Sequence, residues 1–477
     1  MALLAGLAVS LASLVARAQP SAGSAEPPTP PQGADAPAAP PGPQAGEAAD
    51  AADAPRTGNP AKVAEPPAPP SALKVEFYGA LLPFLERVST SGATPAGFTG
   101  GASQVQDSYY TGVNQPARFR MTSGTSGVGF RGTLDLLENL KVTWQVESAV
   151  PIDGNGPNTW ASRNSHLGFT GGWGTLIWGI WDTPWKWATL VTINPIKGSF
   201  TPDYLAILST PGFGVSAVNT ISLLQGELTN AAFYRREANS VQYWSPTVAG
   251  FSLRLSGTLN EDRPHSADRP VRSNPYLLSG YLGFDRWGLR IRYAYELHHD
   301  YFGMYNLGAQ PSDDATTSTD QGHQLTVQYV LAVKPQLRTR LVATGELLSY
   351  RSTDPVPDAF DRYERLAYYA LLEQTVFGHR VWAAYGQAFE GKCHRVGGAA
   401  CSTTGLGARM MSAGYLYSFN DNAALYLAGY RVINDVSSIH SPFPALYPTR
   451  ANDPPPGSDW FGVGLGIFYS FGVGLSR

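Results

Sequence analysis

Cysteine, charge and long apolar runs are all scarce in this chain, and each scarcity removes a class of protein. Charged residues make up only 15% of the 477 positions, well under the usual quarter. No stretch reaches the ~18 consecutive apolar residues that a membrane-spanning helix needs. The formal net charge of −3 argues against a nucleic-acid binder, which is usually basic. The only cysteines are Cys393 and Cys401, in a Gly-rich loop beside Lys392 and His394. In an exported chain they are expected to form a disulfide that closes a small loop, contributing roughly 2–3 kcal/mol in the chain-entropy model. A Cys/His metal site is the alternative, but two Cys and one His lack its fourth ligand.

Catalytic signals are also missing. No Ser/His/acid constellation stands out, and no Gly-rich loop follows a strand and opens a helix to cradle phosphate. His298-His299-Asp300 could be read as a catalytic or metal cluster, but it sits where a strand enters a loop, the usual setting of a solvated His pair. Neither an enzymatic activity nor a cofactor is expected.

What is present is alternation. From Phe461 to Leu475 every odd position is apolar or aromatic, and the even positions are Gly or Ser apart from Phe468. Successive side chains of a strand point to opposite faces, so this segment has one greasy face and one small, wet face. As a soluble edge it would invite aggregation. Between lipid and a water-filled lumen it is at home. The pattern recurs. Val142, Trp144 and Val146 oppose Lys141, Thr143, Gln145 and Glu147; Leu289, Ile291, Tyr293 and Tyr295 oppose Arg290, Arg292 and Glu296.

The chain divides in three. Residues 1–18 read as a secretory signal, with an apolar run Leu3 to Val15 and an A-x-A pattern at Ala16-Arg17-Ala18. Residues 19–72 are Pro, Ala, Gly and acids, unable to bury enough surface to offset ordering entropy, and are expected to be an extended periplasmic linker. Residues 73–477 carry the strands, expected at 74–88, 126–136, 139–150, 162–171, 174–182, 231–246, 250–260, 273–284, 288–299, 321–331, 336–350, 362–376, 379–390, 405–418, 422–434 and 459–476. About sixteen is an even number, as closed barrels require. Short turns alternate with long loops, among them 89–125, 183–230, 391–404 and 435–458. Short turns on one rim and long loops on the other predict an all-β, antiparallel, up-and-down transmembrane barrel.

Several segments resemble a known family. Val128-Gly129-Phe130-Arg131-Gly132-Thr133 leads into Gln145-Val146-Glu147-Ser148. Ser162-Arg163-Asn164-Ser165-His166-Leu167-Gly168-Phe169 precedes Gly171-Gly172-Trp173-Gly174-Thr175, and Asn239-Ser240-Val241-Gln242-Tyr243-Trp244 follows later. Over about residues 126–184 and 239–257 the chain is similar to the Gram-negative general (non-specific) porins. The resemblance implies a sixteen-stranded barrel in the outer membrane, commonly a homotrimer, with the loop after the fifth strand folded inward as a constriction. That loop is 183–230, with Asp203 and Glu227 beside Lys186 and Lys197. It also implies a basic wall, with Arg163 and Arg131 in two of its positions.

An Arg facing lipid at mid-depth costs ~2–4 kcal/mol, so the charged faces must be lumenal. Arg131, Arg163, Arg254, Arg290, Arg292, Arg338 and Arg340 are thus expected to line a pore, with Glu147, Glu296 and Glu346 as acidic lining or as cross-strand partners of the same arginines. Trp181, Trp185 and Trp187 alternate with polar or small residues and are candidate contacts for a solute, against a plainer role in lipid-girdle or loop packing. The expected function is passive diffusion of ions and small hydrophilic solutes. The alternatives are a pore selective for sugars or small anions, a barrel enzyme, or a structural tether. Outer-membrane lipid and, during biogenesis, the barrel-assembly machinery are the expected partners.

Overall fold

The computed structural model describes residues 73–103, 110–154, 160–193, 196, 204–214, 233–259, 275–304, 316–334, 336–442 and 455–476. The expected signal (1–18), the linker (19–72) and the loop charges Lys197, Asp203 and Glu227 lie outside them.

The strands are β1 (Leu73–Leu81), β2 (Phe84–Ser91), β3 (Arg118–Thr122), β4 (Gly127–Leu137), β5 (Leu140–Ala149), β6 (Ser165–Gly171), β7 (Gly174–Asp182), β8 (Arg236–Trp244), β9 (Phe251–Leu259) and β10 (Tyr276–Arg286). They continue as β11 (Leu289–His299), β12 (Ser318–Lys334), β13 (Leu337–Ser352), β14 (Phe360–Val376), β15 (His379–Ala388), β16 (Lys392–Arg395), β17 (Ala408–Ser418), β18 (Ala423–Asn434) and β19 (Asp459–Ser476). A helix, α1 (Pro184–Ile193), follows β7. Each strand pairs antiparallel with its neighbours, and β19 returns to β1, with Lys74 opposite Ser476 and Leu81 opposite Tyr469. The sheet is a closed barrel.

Three staves are broken. β1 and β2 both pair with β19, so they are one stave interrupted at Leu82-Pro83. Pro83 has no N–H to give to a ladder. β3 and β4 form the second stave, pairing with β2 and β1 respectively. β16 extends the β15 stave by pairing with β14. Sixteen staves remain among the described residues. The sequence pattern places fifteen of the spans closely but misses the break in the first, the β3 piece inside the expected loop 89–125, and β16 inside the expected loop 391–404. It also starts the sixth strand at 231, where the structure starts it at Arg236.

The two faces separate as alternation requires. On β19, Phe461, Leu465, Ile467, Tyr469 and Val473 are exposed outward, while Gly462, Gly464 and Gly466 are buried inward. Added methyls at Gly414, Gly462 and Gly466 would collide with the rings of Trp382, Tyr430 and Tyr426, so these inward rings pack directly against a neighbouring glycine. The outer surface carries a band of Leu, Ile and Val, with Leu282, Leu325, Leu341, Leu372, Leu425 and Leu465 all exposed. Large aromatic residues flank it at the short-turn rim: Trp173, Phe251, Trp287, Phe377 and Phe419. An apolar band edged by an aromatic girdle is the surface of a barrel that crosses a bilayer. At Trp287-Gly288 both residues have positive φ, 56° and 75°, as a two-residue turn matched to the twist of its strands requires.

The disulfide Cys393–Cys401 is formed. Its loop joins the long-loop rim to the segment after β2: Ser103 and Ser402 exchange hydrogen bonds of 2.9 Å. Leu341→Arg, on the outer face of β13, is expected to destabilise the folded barrel by about 2–4 kcal/mol, read from urea-dependent folding into phospholipid bilayers. An unchanged midpoint would place that face away from lipid.

Candidate functional site: a loop folded into the lumen

The chain leaves β7 at Asp182 and turns inward. Thr183 caps α1, its Oγ1 accepting the Lys186 N–H at 3.3 Å, and Pro184 takes the first helical position, where a missing N–H costs nothing. The root of the loop is a buried polar knot. Lys186 and Arg236 both reach the Asp182 carboxylate, Arg236 at 3.3 Å, with side chains no more than 2% exposed. Asn164 Nδ2 donates to Asp182 at 2.9 Å, and its Oδ1 accepts from Arg236 Nε at 2.6 Å. Burial pushes the Lys186 ammonium down to about 8, with Arg236 and Arg163 adding to the shift and Asp182 opposing it. α1 then packs on the inner face of β9 to β13. Trp185 N donates to Ser279 Oγ at 3.1 Å, and its ring meets Phe233 at 5.3 Å.

The far part of the loop is latched to the wall on the other side. Glu346 on β13 and Arg365 on β14 form a fully buried ion pair of 2.8 Å. Glu346 Oε1 accepts the Ser209 N–H at 2.7 Å, and Arg365 donates to the carbonyls of Ile207, at 3.2 Å, and Thr210. Ile207 and Leu208 bury into an apolar cluster with Tyr369, Met410 and Val432 from three staves. From the long-loop rim, Ile439 N donates to Gly212 O at 2.8 Å. His440 lies beside it, and burial, with Arg365 close by, pushes its imidazole down to about 3, so it is neutral at physiological pH. The described loop therefore covers the long-loop part of the inner face from β9 round to β18, while Arg254, Arg292, Arg338 and Arg340 nearer the short turns of the same staves keep accessible surface. The inner face of β1, β4, β5 and β6 is lined by Lys74, Glu76, Arg131, Thr143, Gln145 and His166, which border a cavity of about 510 Å³.

The expected site residues divide between open wall and buried anchor. Arg131 is on the open wall, bonded to Glu76 at 2.8 Å and 4.7 Å over the Tyr78 ring. Arg290 pairs with Asp285 at 2.5 Å, and Arg340 with Glu373 at 2.6 Å. Arg338 is exposed. Arg254 lies over Trp187 and Trp244 at 4.1 and 4.5 Å, and Arg292 donates to Trp187 O at 3.4 Å. Arg163 and Glu147, paired with one another, are only 3% and 7% exposed and hold the wall rather than line it. Glu296 and Glu346 are likewise buried: Glu296 sits 2.9 Å from His298 Nε2, and Glu346 is the latch. Trp181, Trp185 and Trp187 are 3%, 0% and 8% exposed, so they present no face along which a solute could slide. The period changes at Thr183-Pro184 from two to 3.6, which sends Trp185 and Trp187 to different neighbours. Trp173 and Trp178 are exposed on the outside, as girdle residues. His298 stacks on Phe233 at 4.5 Å and His299 on Tyr276 at 4.8 Å. Among the described residues no group of three or more His, Cys, Asp or Glu is placed to hold a metal.

Arg365, Asp182 and Arg236 are the anchors that sequence reasoning missed. Arg365 shares the inward parity of Tyr363, Ala367 and Tyr369, so its direction was readable. That it would pair with Glu346 and hold the loop was not.

A closed antiparallel barrel with an inward-folded loop after the fifth stave defines the porin class of membrane proteins. A family model described as Gram-negative porin matches residues 36–437, and the chain belongs to that family. Major outer membrane protein P.IA of Neisseria meningitidis serogroup A / serotype 4A is 40% identical over 78 residues, 16% of this chain and 20% of the relative. Protein P.IB of serogroup B / serotype 15 is 30% identical over 176 residues, 36% of this chain. The chain thus spans at most 43% of the length of these two curated relatives. Among solved structures, the anion-selective porin of Comamonas acidovorans superposes with a TM-score of 0.61 at 16% identity, covering 84% of this chain and all of that one. Outer-membrane expressed OmpT of Vibrio cholerae gives 0.52 at 13% identity, covering 85% and 99%.

Removing one partner of a buried pair leaves an uncompensated charge, a cost of about 3–5 kcal/mol. Arg365→Ala is therefore expected to free the 204–214 segment, giving larger and noisier single-channel steps than the wild type. Steps of wild-type size and noise would show that the latch does not hold the loop.

Proposed function

We propose that the protein is an outer-membrane channel through which ions and small hydrophilic solutes diffuse passively, with a mild preference for anions. The observation that carries this reading is the polar wall of β1, β4, β5 and β6, which the described parts of the loop leave uncovered while they are stapled to the other walls. A water-filled lumen narrowed from one side selects by size and charge and needs no chemistry on the solute. The preference in sign is supported by the lumenal guanidinium groups gathered near the short-turn rim, Arg254, Arg292, Arg338, Arg340 and Arg380, of which Arg340 and Arg380 share the carboxylate of Glu373 at 2.6 and 3.7 Å. The Comamonas acidovorans porin with the same fold is described as anion-selective, which supports this direction. A sugar-selective pore is disfavoured by the burial of Trp181, Trp185 and Trp187.

A homotrimer is supported by the trimer form of Vibrio cholerae OmpT, which shares the fold at a TM-score of 0.50. Residues 1–18 would direct export, 19–72 would hang in the periplasm as a linker, and the barrel-assembly machinery would insert the closed sheet into the lipid.

Purified protein in a planar bilayer is expected to give discrete ion-conducting steps, and its reversal potential in a potassium chloride gradient to show anion preference. Replacing Arg338 and Arg380 together with Glu is expected to move that potential toward cations. Absence of steps from folded protein contradicts the channel, and cation preference in the wild type contradicts the sign.

A further inference from the structure

Below the constriction helix the lumen wall changes character. Arg254 of β9 lies 4.1 Å from the Trp187 ring centre and 4.5 Å from that of Trp244. Arg292, two staves on, lies 5.3 Å from the Tyr281 ring, and Arg254 lies 6.0 Å from the same ring. Two guanidinium groups are therefore set among three rings. The rings continue sideways: Trp244 is 5.1 Å from Trp181, and His166 is 6.2 Å from Trp244 and 4.7 Å from Trp181. Trp181, Trp187 and Tyr281 are buried behind. Trp244, Arg254, Arg292 and His166 keep part of their surface accessible, and His166 also borders the 510 Å³ cavity of the open wall.

We propose that this cluster is a binding subsite for aromatic carboxylates, on the path of the channel. The inference deepens the diffusion-channel reading and rests on it. The chemistry follows from the two components. A guanidinium stacked on an indole keeps its charge and its planar edge of N–H donors, which matches a carboxylate bidentately. Stacking also fixes the plane of the guanidinium, so less freedom is lost when the carboxylate docks. Trp244, 4.5 Å from the Arg254 guanidinium, and His166, 6.2 Å from Trp244, are partly accessible and offer flat rings against which the body of a benzoate-like ion would pack. A small inorganic anion or acetate gains only the charge. An ion with a ring gains both contacts, so the channel would hold it longer and pass it preferentially at low concentration.

The ligand is distinguished from simple attraction of anions by comparing two monocarboxylates of equal charge. Full-length protein is reconstituted in a planar bilayer in potassium chloride, and block of the current by sodium benzoate and by sodium acetate is titrated. Benzoate is expected to reach half-block at a concentration about ten-fold lower than acetate, the difference that one ring contact of this kind supplies. Trp244→Ala and Arg254→Lys are expected to bring that ratio down toward one, while Trp244→Phe, which keeps a ring, retains most of it. Conducting steps in potassium chloride certify that each variant is folded and inserted. Equal block by the two ions in the wild type overturns the subsite, as does a ratio that both Trp244→Ala and Arg254→Lys leave unchanged. Complete absence of chloride-carried steps in the wild type is a different failure, that of the channel reading itself.

Discussion

The backbone of this protein must find every hydrogen-bond partner within the chain, because hydrocarbon offers none. Closure of β19 on β1 and β2 is the contact on which the rest depends. Once the sheet is a ring, each strand has an outside that must be apolar and an inside that is free to carry charge. The alternation of Phe461, Leu465 and Ile467 with Gly462, Gly464 and Gly466 is that constraint written in one stave. An open ring of sixteen staves leaves a lumen too wide to select by itself, and the inward loop answers that.

The loop is held by charge buried in pairs. Taking a carboxylate and a guanidinium out of water is costly, and such a pair tends to specify a geometry more than it adds stability. At Asp182, Lys186 and Arg236 the knot sets the direction in which the chain leaves β7. At Glu346 and Arg365 the latch takes up backbone groups of Ile207, Ser209 and Thr210 that would otherwise be buried without partners. Between these two points α1 lies along the wall. Among the described residues the lumen is asymmetric, with one wall covered by the loop and one wall polar and open. The lumenal arginines near the short-turn rim and the aromatic cluster around Arg254 lie under this asymmetry.

Much of the barrel was legible in the sequence because period-two alternation and turn chemistry are local. The positions of Lys141, Thr143 and Gln145 against Val142, Trp144 and Val146 were enough to say which side faced water. Parity also said that Arg254, Arg292 and Arg340 point inward. It could not say which of the inward charges would meet the loop, because Glu346 and Arg365 find Ser209 and Ile207 only across the lumen. Trp181, Trp185 and Trp187 were read at one period, although Thr183 and Pro184 are a helix-start signal that breaks it. Arg163 shows the same limit from the other side: its place in the wall was readable, and its burial against Glu147 was not.

The central claim is that the open path runs along β1, β4, β5 and β6 while the loop occupies the opposite wall. Among the described residues there is no free cysteine, so single cysteines can report on each wall separately. Thr143→Cys on the open wall and Thr344→Cys on the covered wall would be treated with a positively charged thiol reagent during conductance recording. The account predicts a stepwise fall in current for Thr143→Cys and none for Thr344→Cys, whose position is 3% exposed. Rapid block at Thr344→Cys with none at Thr143→Cys would contradict it.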